Sequence, residues 1–420
     1  MSRTQPSLAR LLGTSDAVVI GLGAMIGAGI FAAIGPAAEA AGAAMLLSLA
    51  IAGFVAWCNA TSSAELAANS PESGGTYVYG RERLGEWWGY LAGWAFVTGK
   101  TASCAAMALV FGAYVSPDLM RPLAIAAVIL LTALNLRGIQ RTLSATKVIL
   151  AIVLACLAGI VVATVFGGEA DAANLEPFFD SGPYGVLQGA AILFFAFAGY
   201  ARIATLGEEV RDPARSIRRA VPIALGIALA VYAVVIAASL LAIGPAALAT
   251  SPAPLETAVS AGGFEWFSPA VTVGAAVASL GVLLSMIAGV SRTTLAMARR
   301  HDLPGSLAAV HPVHRVPHRA DLAIAAVVCA VVLLVDLRGA IAFSAFTILL
   351  YYAIANASAL RLSRAESDRS RLIFGAGLAG CLVLAVTLPP GAIAVGLGVL
   401  AAGAIARLAA GRGARQGTRR

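Results

Sequence analysis

Four glycines lie close together in the first apolar stretch of the chain. The run from Val18 to Pro36 reads VVIGLGAMIGAGIFAAIGP, and its clustered glycines are Gly21, Gly23, Gly27 and Gly29. A glycine inside a helix costs about 1 kcal/mol relative to alanine, so this density predicts a break in the helix. Helix ends present free N–H groups at one terminus and free carbonyls at the other. Two half-helices that meet at a break could therefore bind a carboxylate and an ammonium together.

The same glycines allow a second interpretation. Gly23 and Gly27 fit the small-xxx-small pattern by which membrane helices pack closely, and a continuous helix would use them for that purpose. The rest of the chain favours the break, because a second apolar stretch carries a similar interruption at Gly199.

Two cationic side chains lie inside apolar stretches. Lys100 stands near the middle of one, where a lysine costs about 2.5–3.5 kcal/mol on insertion scales. We interpret it as a proton carrier, or as a charge that replaces a sodium ion at a helix break; packing against backbone carbonyls or snorkelling is the alternative. Arg202 lies nearer a stretch end, where snorkelling is the favoured interpretation. These cations, with no acidic residue deep in the stretches, favour a neutral substrate over a cationic one.

Other chemistry-bearing residues give weaker signals. The four histidines lie in one basic segment from His301 to His318, which we interpret as a solvated loop rather than a metal site. All five cysteines fall in apolar runs and are interpreted as buried hydrophobic residues. Glu208 and Glu209 precede several arginines and suggest either an ion-pair network at a gate or ordinary solvated charge. No metal and no cofactor is predicted.

The composition is that of a membrane protein. Of 420 residues 60% are hydrophobic and 12% are charged, whereas soluble domains carry about 25% charged residues. The net charge of +8 arises from arginines that fall almost entirely on one side of the predicted spans, as the positive-inside rule requires. The charge therefore indicates orientation, with both termini cytoplasmic in a cell membrane, and not a nucleic-acid partner. No cleavable signal peptide is predicted.

Apolar stretches of the right length predict about twelve membrane-spanning helices. The first holds the glycine cluster, and the others are Ala43–Ala64, Trp87–Val115, Pro122–Leu136, Leu143–Phe166, Leu187–Leu206, Val221–Ile243, Ala270–Met297, 321–336, Ile341–Leu360, Leu372–Leu388 and Ala392–Ala409.

Two coincidences suggest an internal repeat of five spans. The first and sixth spans carry the glycine interruptions, and the fourth and ninth are the shortest. An odd number of spans inverts the second copy, and paired interrupted spans in inverted repeats indicate a transporter binding site at the midplane. We expect a cytoplasmic N-terminus at 1–15, a first repeat at 16–166, an extracellular loop at 167–186 and a second repeat at 187–362. Two peripheral helices at 371–409 and a basic tail at 410–420 should follow.

Several short motifs give the chain a family resemblance. The run from Gly27 to Phe31 resembles the first-span signature of the amino acid–polyamine–organocation superfamily of permeases. Further similar motifs follow in the family's order at Glu65-Leu66, Pro71 to Tyr77, Phe195 to Gly199, Glu208 to Pro213, Ser291 to Pro304 and Tyr351 to Asn356. The resemblance implies an all-α fold of ten core helices in two inverted five-helix repeats with spans one and six unwound, plus two peripheral helices. It also implies secondary transport of amino acids or related amines by alternating access.

The resemblance implies a substrate site at the two interruptions. Amide groups around Ala28 and Gly29 would hold the substrate carboxylate, and carbonyls at Met25 and Ala198 its ammonium. Gly199 would let the sixth span open, and Phe195 would cover the substrate side chain as an aromatic gate. The expected binding residues are Met25, Ile26, Gly27, Ala28, Gly29, Ile30, Phe195, Ala198, Gly199 and Tyr200, with Lys100 and Arg202 as candidates for the coupling pathway.

The chain departs from proton-coupled members of the family at two positions. Many of them place a lysine where this chain has Val153, and Lys147 lies nearer the cytoplasmic end. They also often carry an acidic residue where this chain has Ala201. Coupling by a fifth-span lysine is therefore in doubt here, and Lys100 is the candidate replacement.

The sequence favours a transporter over a membrane enzyme or a channel. A membrane enzyme would need a nucleophile, paired acids or a histidine cluster at membrane depth, and none is visible. A channel usually builds its filter from an oligomer or from rings of charge, whereas an inverted repeat favours a carrier. A polyamine, another amine or a cationic amino acid is the nearer alternative. The expected partners are a small amino acid, a proton or counter-substrate and the lipid bilayer, with no partner protein implied.

Overall fold

The computed structural model describes residues 12–27, 29–70, 74–138, 143–167, 170–204, 210–367 and 369–417. Their regular structure is helical, apart from one isolated bridge between Leu12 and Val210. The helices in chain order are α1 (Thr14–Met25), α2 (Gly29–Ala41), α3 (Met45–Asn69), α4 (Thr76–Arg83), α5 (Glu86–Val115), α6 (Met120–Leu136), α7 (Leu143–Phe166), α8 (Gly182–Phe197), α9 (Ala201–Ala204), α10 (Pro213–Thr250), α11 (Pro254–Ala261), α12 (Ser268–Arg299), α13 (His318–Leu334), α14 (Leu337–Ala359), α15 (Arg371–Thr387) and α16 (Pro390–Gly417).

Nine helical segments in the described part of the chain are long and apolar enough to cross a membrane. They are formed by α2 with α3, by α8 with α9, and singly by α5, α6, α7, α10, α12, α14 and α16. The three other stretches that the sequence predicts as spans form the shorter helices α1, α13 and α15. The protein is therefore a multi-pass membrane protein.

The start of α10 corrects one sequence-based expectation. The charged residues before Val221 are predicted as a loop, but the helix begins at Pro213. The side chain of Asp212 accepts a hydrogen bond from the backbone N–H of Arg215 at 3.3 Å, which is an N-cap, and proline is favoured in the first helical turn. The predicted end of this span at Ile243 coincides with a break in the helix at Gly244, where φ is +68°, and a short second helical piece then runs to Thr250. At the end of the chain, α16 runs through Gly417, beyond the predicted limit at Ala409.

Buried polar side chains join α3, α14 and α15. Asn356 donates hydrogen bonds to the Asn59 side chain at 2.6 Å and to its own helix at Tyr352, and Ser62 donates to the Asn356 amide oxygen at 2.6 Å. The Cys381 thiol donates to the Asn59 oxygen at 3.2 Å. Such bonds between membrane helices replace the hydrophobic drive that lipid does not supply.

The last helix, α16, docks on α5 through its own backbone carbonyls. The Tyr90 hydroxyl donates to the carbonyl of Gly403 at 2.6 Å, and the Trp94 indole donates to that of Val399 at 2.8 Å. A Cβ at Gly403 would lie 2.4 Å from the Trp94 indole nitrogen, whereas one at Gly398 would meet nothing within 4 Å. The glycine at 403 thus lets the two helices approach closely enough for both hydrogen bonds.

We expect Gly403→Leu to destabilise the protein by about 1–3 kcal/mol, the usual range for overpacking. The leucine forces Trp94 out of its hydrogen bond, and the melting temperature of the detergent-solubilised protein should fall. Gly398→Leu is the matched control, because it adds the same side chain to the same helix in open space. An equal melting temperature for the two variants would contradict the close contact between α16 and α5.

Candidate functional site

The first apolar stretch is interrupted at the glycine cluster. Helix α1 ends at Met25, where the N–H of Ile26 donates to the carbonyl of Leu22 at 2.7 Å, and α2 begins at Gly29. The intervening Ile26 and Gly27 form a turn, and Ala28 lies outside the described residues. The end of one helix and the start of the next therefore lie within a few residues of each other inside the bundle.

The second interruption is tighter than the sequence predicts. Helix α8 ends at Phe197, a 3-10 turn spans Ala198–Tyr200, and the four-residue helix α9 follows. The chain here changes from α to 3-10 winding and does not become extended, and 3-10 turns of this kind commonly mark a hinge. The predicted end of this span at Leu206 lies outside the described residues.

The two interruptions touch at their glycines. A Cβ on Gly199 would lie 2.3 Å from the carbonyl oxygen of Ala24 and 2.8 Å from the nitrogen of Met25, and one on Gly29 would lie 2.8 Å from the Cα of Ala196. These are contacts with backbone atoms, which cannot move aside as a flexible side chain can. Glycine is therefore required where the two broken helices cross.

A small cavity lies beside this crossing. Its lining comes from both interruptions and from α5 and α12, and consists of Ala24, Met25, Gly29, Lys100, Ser103, Met107, Phe195, Ala196, Gly199, Val282 and Met286. The cavity has room for about one ordered water molecule. It therefore has to expand before it can hold an amino acid.

Lys100 connects α5 to the second interruption. The side chain is 7% exposed, and its ammonium donates to the carbonyl of Ala198 at 3.4 Å. One turn along α5, Ser103 lies 2.6 Å from Ser344 of α14, hydroxyl to hydroxyl. A cation therefore sits at the carbonyl end of α8, where the helix dipole stabilises positive charge.

The carbonyls that sequence reasoning assigns to a substrate ammonium already accept hydrogen bonds. Tyr232 of α10 donates to the carbonyl of Met25 at 2.6 Å and lies 3.1 Å from that of Ala196. The carbonyl of Ala198 accepts from Lys100. Each carbonyl oxygen has two lone pairs, so a further donor has to share these oxygens with the protein.

The structure brings five of the twelve expected site residues together around the cavity. Met25, Gly29, Phe195, Gly199 and Lys100 line the cavity. Four others are buried nearby without lining it, namely Ile26, Gly27, Ile30 and Ala198.

Tyr200 and Arg202 lie away from the cavity. The ring of Tyr200 is fully buried and packs against Tyr352 of α14, with centroids 5.0 Å apart. The side chain of Arg202 is exposed and is not part of the cavity lining. Val153, where relatives often have a lysine, is a buried residue of α7.

Sequence reasoning missed the side chains that α5 and α12 contribute. Ser103 and Met107 follow Lys100 at intervals of three and seven residues, and Val282 and Met286 are four residues apart. Both spacings place residues on one face of a helix. This spacing was the available signal, but it becomes informative only when Lys100 is known to face the cavity.

Ion pairs close one end of the bundle, which we call the arginine-rich end. Asp302, after α12, accepts hydrogen bonds from Tyr77 at 2.7 Å and Arg81 at 3.1 Å, and pairs with Arg407 of α16 at 3.3 Å. Burial, with the Asp302 carboxylate beside it, raises the pKa of Tyr77, so the phenol keeps the proton that it donates. Arg81 also pairs with Glu86 at 2.8 Å. Four elements are held together around one carboxylate.

A second set of ion pairs lies at the same end. Glu65 of α3 is buried and pairs with Arg218 of α10 at 2.8 Å and Arg369 at 3.8 Å. Arg83 pairs with Glu366 at 2.5 Å, and its hydrogen bond lowers the pKa of Glu366 to about 2, so the pair stays ionised at neutral pH. Glu208 and Glu209, which the sequence suggests as gate residues, lie outside the described residues.

The opposite end of the bundle has its own connection. Arg338, in the first turn of α14, pairs with Glu39 of α2 and donates to the backbone carbonyl of Ala249 near the end of α10. Both partners are largely exposed there, so this contact is weaker than the buried pairs. The central cavity therefore lies between a strongly paired end and a weakly paired one.

The histidine segment shows ring contacts. The rings of His311 and His314 lie 4.9 Å apart, and those of His311 and His318 lie 5.6 Å apart. Within the described ranges, no group of three or more His, Cys, Asp or Glu side chains is arranged to hold a metal ion.

A small cavity where two helix breaks cross inside an apolar helical bundle is the arrangement expected of a membrane carrier. A family model described as amino acid permease matches residues 16–405. The chain belongs to the amino acid permease family. It is similar to a Mycobacterium tuberculosis protein named as an uncharacterized transporter, with 59% identity over 95% of this chain and 91% of the relative.

Two relatives with more specific names are less similar. The branched-chain amino acid permease of Bacillus subtilis is 29% identical over 75% of this chain and 72% of its own length. Human cationic amino acid transporter 4 is 29% identical over 87% of this chain and 62% of its own length. Their names indicate amino acid transport, with different substrate charge.

We expect Gly199→Ala to force the two helix breaks apart, because its Cβ would meet the backbone of α1 at 2.3 Å. The melting temperature should fall, as overpacking costs about 1–3 kcal/mol. Gly226→Ala in α10 is the matched control, since a Cβ there meets nothing within 4 Å and the higher helix propensity of alanine should leave stability unchanged or slightly raised. Equal melting temperatures for the two variants would rule out a tight crossing at Gly199.

Proposed function

We propose that this permease moves a neutral amino acid across the cell membrane by alternating access. One observation carries the proposal: the cavity of this amino acid permease family member is formed where both broken helices meet Lys100. This cavity offers separate partners for the carboxylate, the ammonium and the side chain of an amino acid. The arrangement suits a small zwitterion.

The carboxylate is assigned to the start of α2. The N–H groups of Gly29 and Ile30 lie in the first turn of this helix, where backbone N–H groups have no partner within the helix and the helix dipole favours an anion. Ala28 is also an expected ligand, but it lies outside the described residues. The substrate ammonium is assigned to the carbonyls of Met25 and Ala198, shared with Tyr232 and Lys100.

The side chain of the substrate is assigned to the apolar wall. The apolar side chains of Met107, Val282, Met286 and Phe195 line the cavity. Methionine side chains are flexible and adapt to apolar ligands of different shape. This lining favours an uncharged, apolar side chain over a polar one.

The charge of Lys100 argues against a cationic substrate. Two positive charges about 4 Å apart repel each other strongly in a medium of low dielectric constant, and within the cavity lining there is no carboxylate to compensate. A neutral substrate agrees with the name of the branched-chain amino acid permease, and a cationic substrate agrees with the name of the cationic amino acid transporter. The charge of Lys100 favours the neutral substrate. A cationic amino acid or amine is the alternative that the first experiment below tests.

Alternating access requires the two ends of the bundle to open in turn. We assign the arginine-rich end to the cytoplasm, in accordance with the positive-inside rule, and its ion pairs to the cytoplasmic gate. The pair between Arg338 and Glu39 is assigned to the extracellular side. The proposal includes twelve spans, with two inverted repeats of five and two peripheral helices, and coupling to a proton or a counter-substrate.

A thermal-shift screen of the twenty amino acids tests the proposal on the purified protein. Ligands that bind the folded state raise its melting temperature by mass action. We expect the largest shifts with apolar neutral amino acids, and none with lysine, arginine or putrescine. Larger shifts with the cationic compounds would replace the neutral substrate by the alternative, and no shift with any compound would overturn the proposal.

Lys100 gives a second test, because the chain has only one other lysine, Lys147. We expect Lys100→Met to reduce uptake into proteoliposomes at least tenfold and to abolish its pH dependence, since the ammonium at the Ala198 carbonyl is lost. Lys147→Met is the control, because that half-exposed lysine pairs with Asp16 away from the cavity at 3.2 Å. Unchanged uptake and pH dependence in Lys100→Met would remove the lysine from the coupling pathway.

A further inference from the structure

Buried polar atoms without partners are concentrated in one corner of the bundle. Among the described residues, nine buried side-chain nitrogen or oxygen atoms lack a hydrogen-bond partner, and five of them belong to Thr132, Ser291, Thr294, His318 and Asp321. These residues lie on α6, α12 and α13, three helices that pack against one another. Since buried polar groups are normally satisfied, such a concentration calls for a ligand.

Asp321 is the centre of this corner. It lies in the first turn of α13, its side chain is fully buried, and one carboxylate oxygen accepts a hydrogen bond from Asn135 of α6 at 2.8 Å. The hydroxyl of Ser291 on α12 lies beside this carboxylate and interacts with it, but no group in the described part of the chain makes a full hydrogen bond to the second carboxylate oxygen.

The remaining hydroxyls belong to the same two helix faces. Thr294 follows Ser291 by three residues on α12, and Thr132 precedes Asn135 by three on α6, so each lies beside its partner on one side of its helix. All four side chains are at most 4% exposed. The corner is thus a buried, oxygen-rich cluster of side chains with one carboxylate.

Two charged or titratable groups act on Asp321 from its surroundings. Arg292 of α12 and His318 of α13 both influence the carboxylate, but the Arg292 side chain is exposed and the described structure has no ion pair between either group and Asp321. From α6 the facing groups are the neutral Asn135 and Thr132. Helix α5 also packs against α13, and within the described ranges it makes no hydrogen bond to Asp321.

A buried carboxylate without an ion pair is costly when it is ionised. It is stabilised either by a bound proton or by a small hard cation, and oxygen ligands from carboxylate, amide and hydroxyl groups suit such a cation. The Ser291 hydroxyl supplies a neutral oxygen beside the charge, Thr294 lies on the same side of α12, and Asn135 donates its amide N–H to the carboxylate. Either a proton or a sodium ion would supply a single positive charge at Asp321.

We propose that Asp321, with Asn135 and Ser291, forms a monovalent-cation site between α6, α12 and α13, separate from the central cavity. None of these residues lines that cavity. Helix α12 connects the two places, because Met286 lies in the cavity wall five residues before Ser291, which is roughly 8 Å along a helix. A cation at Asp321 anchors the end of α12 to its two neighbours and so biases the position of the cavity wall.

The test is the melting temperature of the purified full-length protein, without any amino acid, in sodium chloride or choline chloride of equal ionic strength between pH 5.5 and 8.5. A sodium ion at the site gives a higher melting temperature in sodium chloride. A proton at the site stabilises the folded protein at low pH, and this stabilisation is lost as the pH rises through the pKa of the folded state. Either dependence is the expected result.

Variants assign the dependence to the site. Asp321→Asn should remove it, and Ser291→Ala should weaken it while keeping the carboxylate, so a misfolded Asp321→Asn still leaves an informative variant. Asp118→Asn, an exposed acid before α6, should leave it unchanged. A melting temperature insensitive to both sodium and pH would overturn the proposal. So would a dependence that survives in Asp321→Asn, because a surviving effect belongs to groups other than this carboxylate. Since no amino acid is present, the result is independent of the proposed transport.

Discussion

The structure depends on two backbone segments approaching more closely than any side chain would allow. At the crossing of the broken helices, Gly199 lies against Ala24 and Met25, and Gly29 lies against Ala196. Glycines weaken a helix wherever they stand, so the same residues that permit the approach also favour the interruptions. The same glycines therefore provide both the helix breaks and the close backbone contact between the two broken helices.

The cation at this crossing changes what the helix breaks can do. Lys100 binds the carbonyl of Ala198, and Tyr232 binds that of Met25. The protein thus satisfies its own carbonyls at the breaks, which would be unfavourable in a membrane without partners. In the proposed binding mode, a substrate ammonium would exchange one set of hydrogen bonds for another.

Much of this arrangement could be predicted from the sequence, and the rest could not for definable reasons. The glycine cluster and Lys100 can be recognised in the sequence. Helices rarely contain several glycines close together, and apolar spans rarely contain a charged residue. Ser103 and Met286 could not be assigned, because a helix's rotation about its axis is decided by its neighbours. The burial of Asp321 depends in the same way on how α6 and α12 pack. Asp212 and Pro213 are typical residues of a helix start and could have predicted the beginning of α10. The charged residues that follow them resemble those of a loop.

The position of Arg407 has a consequence for biosynthesis. This residue stands in the last helix of the chain, and it binds Asp302 and lies over the rings of Trp87 and Tyr90, with centroids 5.1 and 4.6 Å from its guanidinium carbon. A ribosome makes α5 and the segment after α12 long before α16. Until α16 has entered the membrane, Asp302 is therefore held, among the described residues, by Tyr77 and Arg81 alone, and Arg407 adds its contacts afterwards.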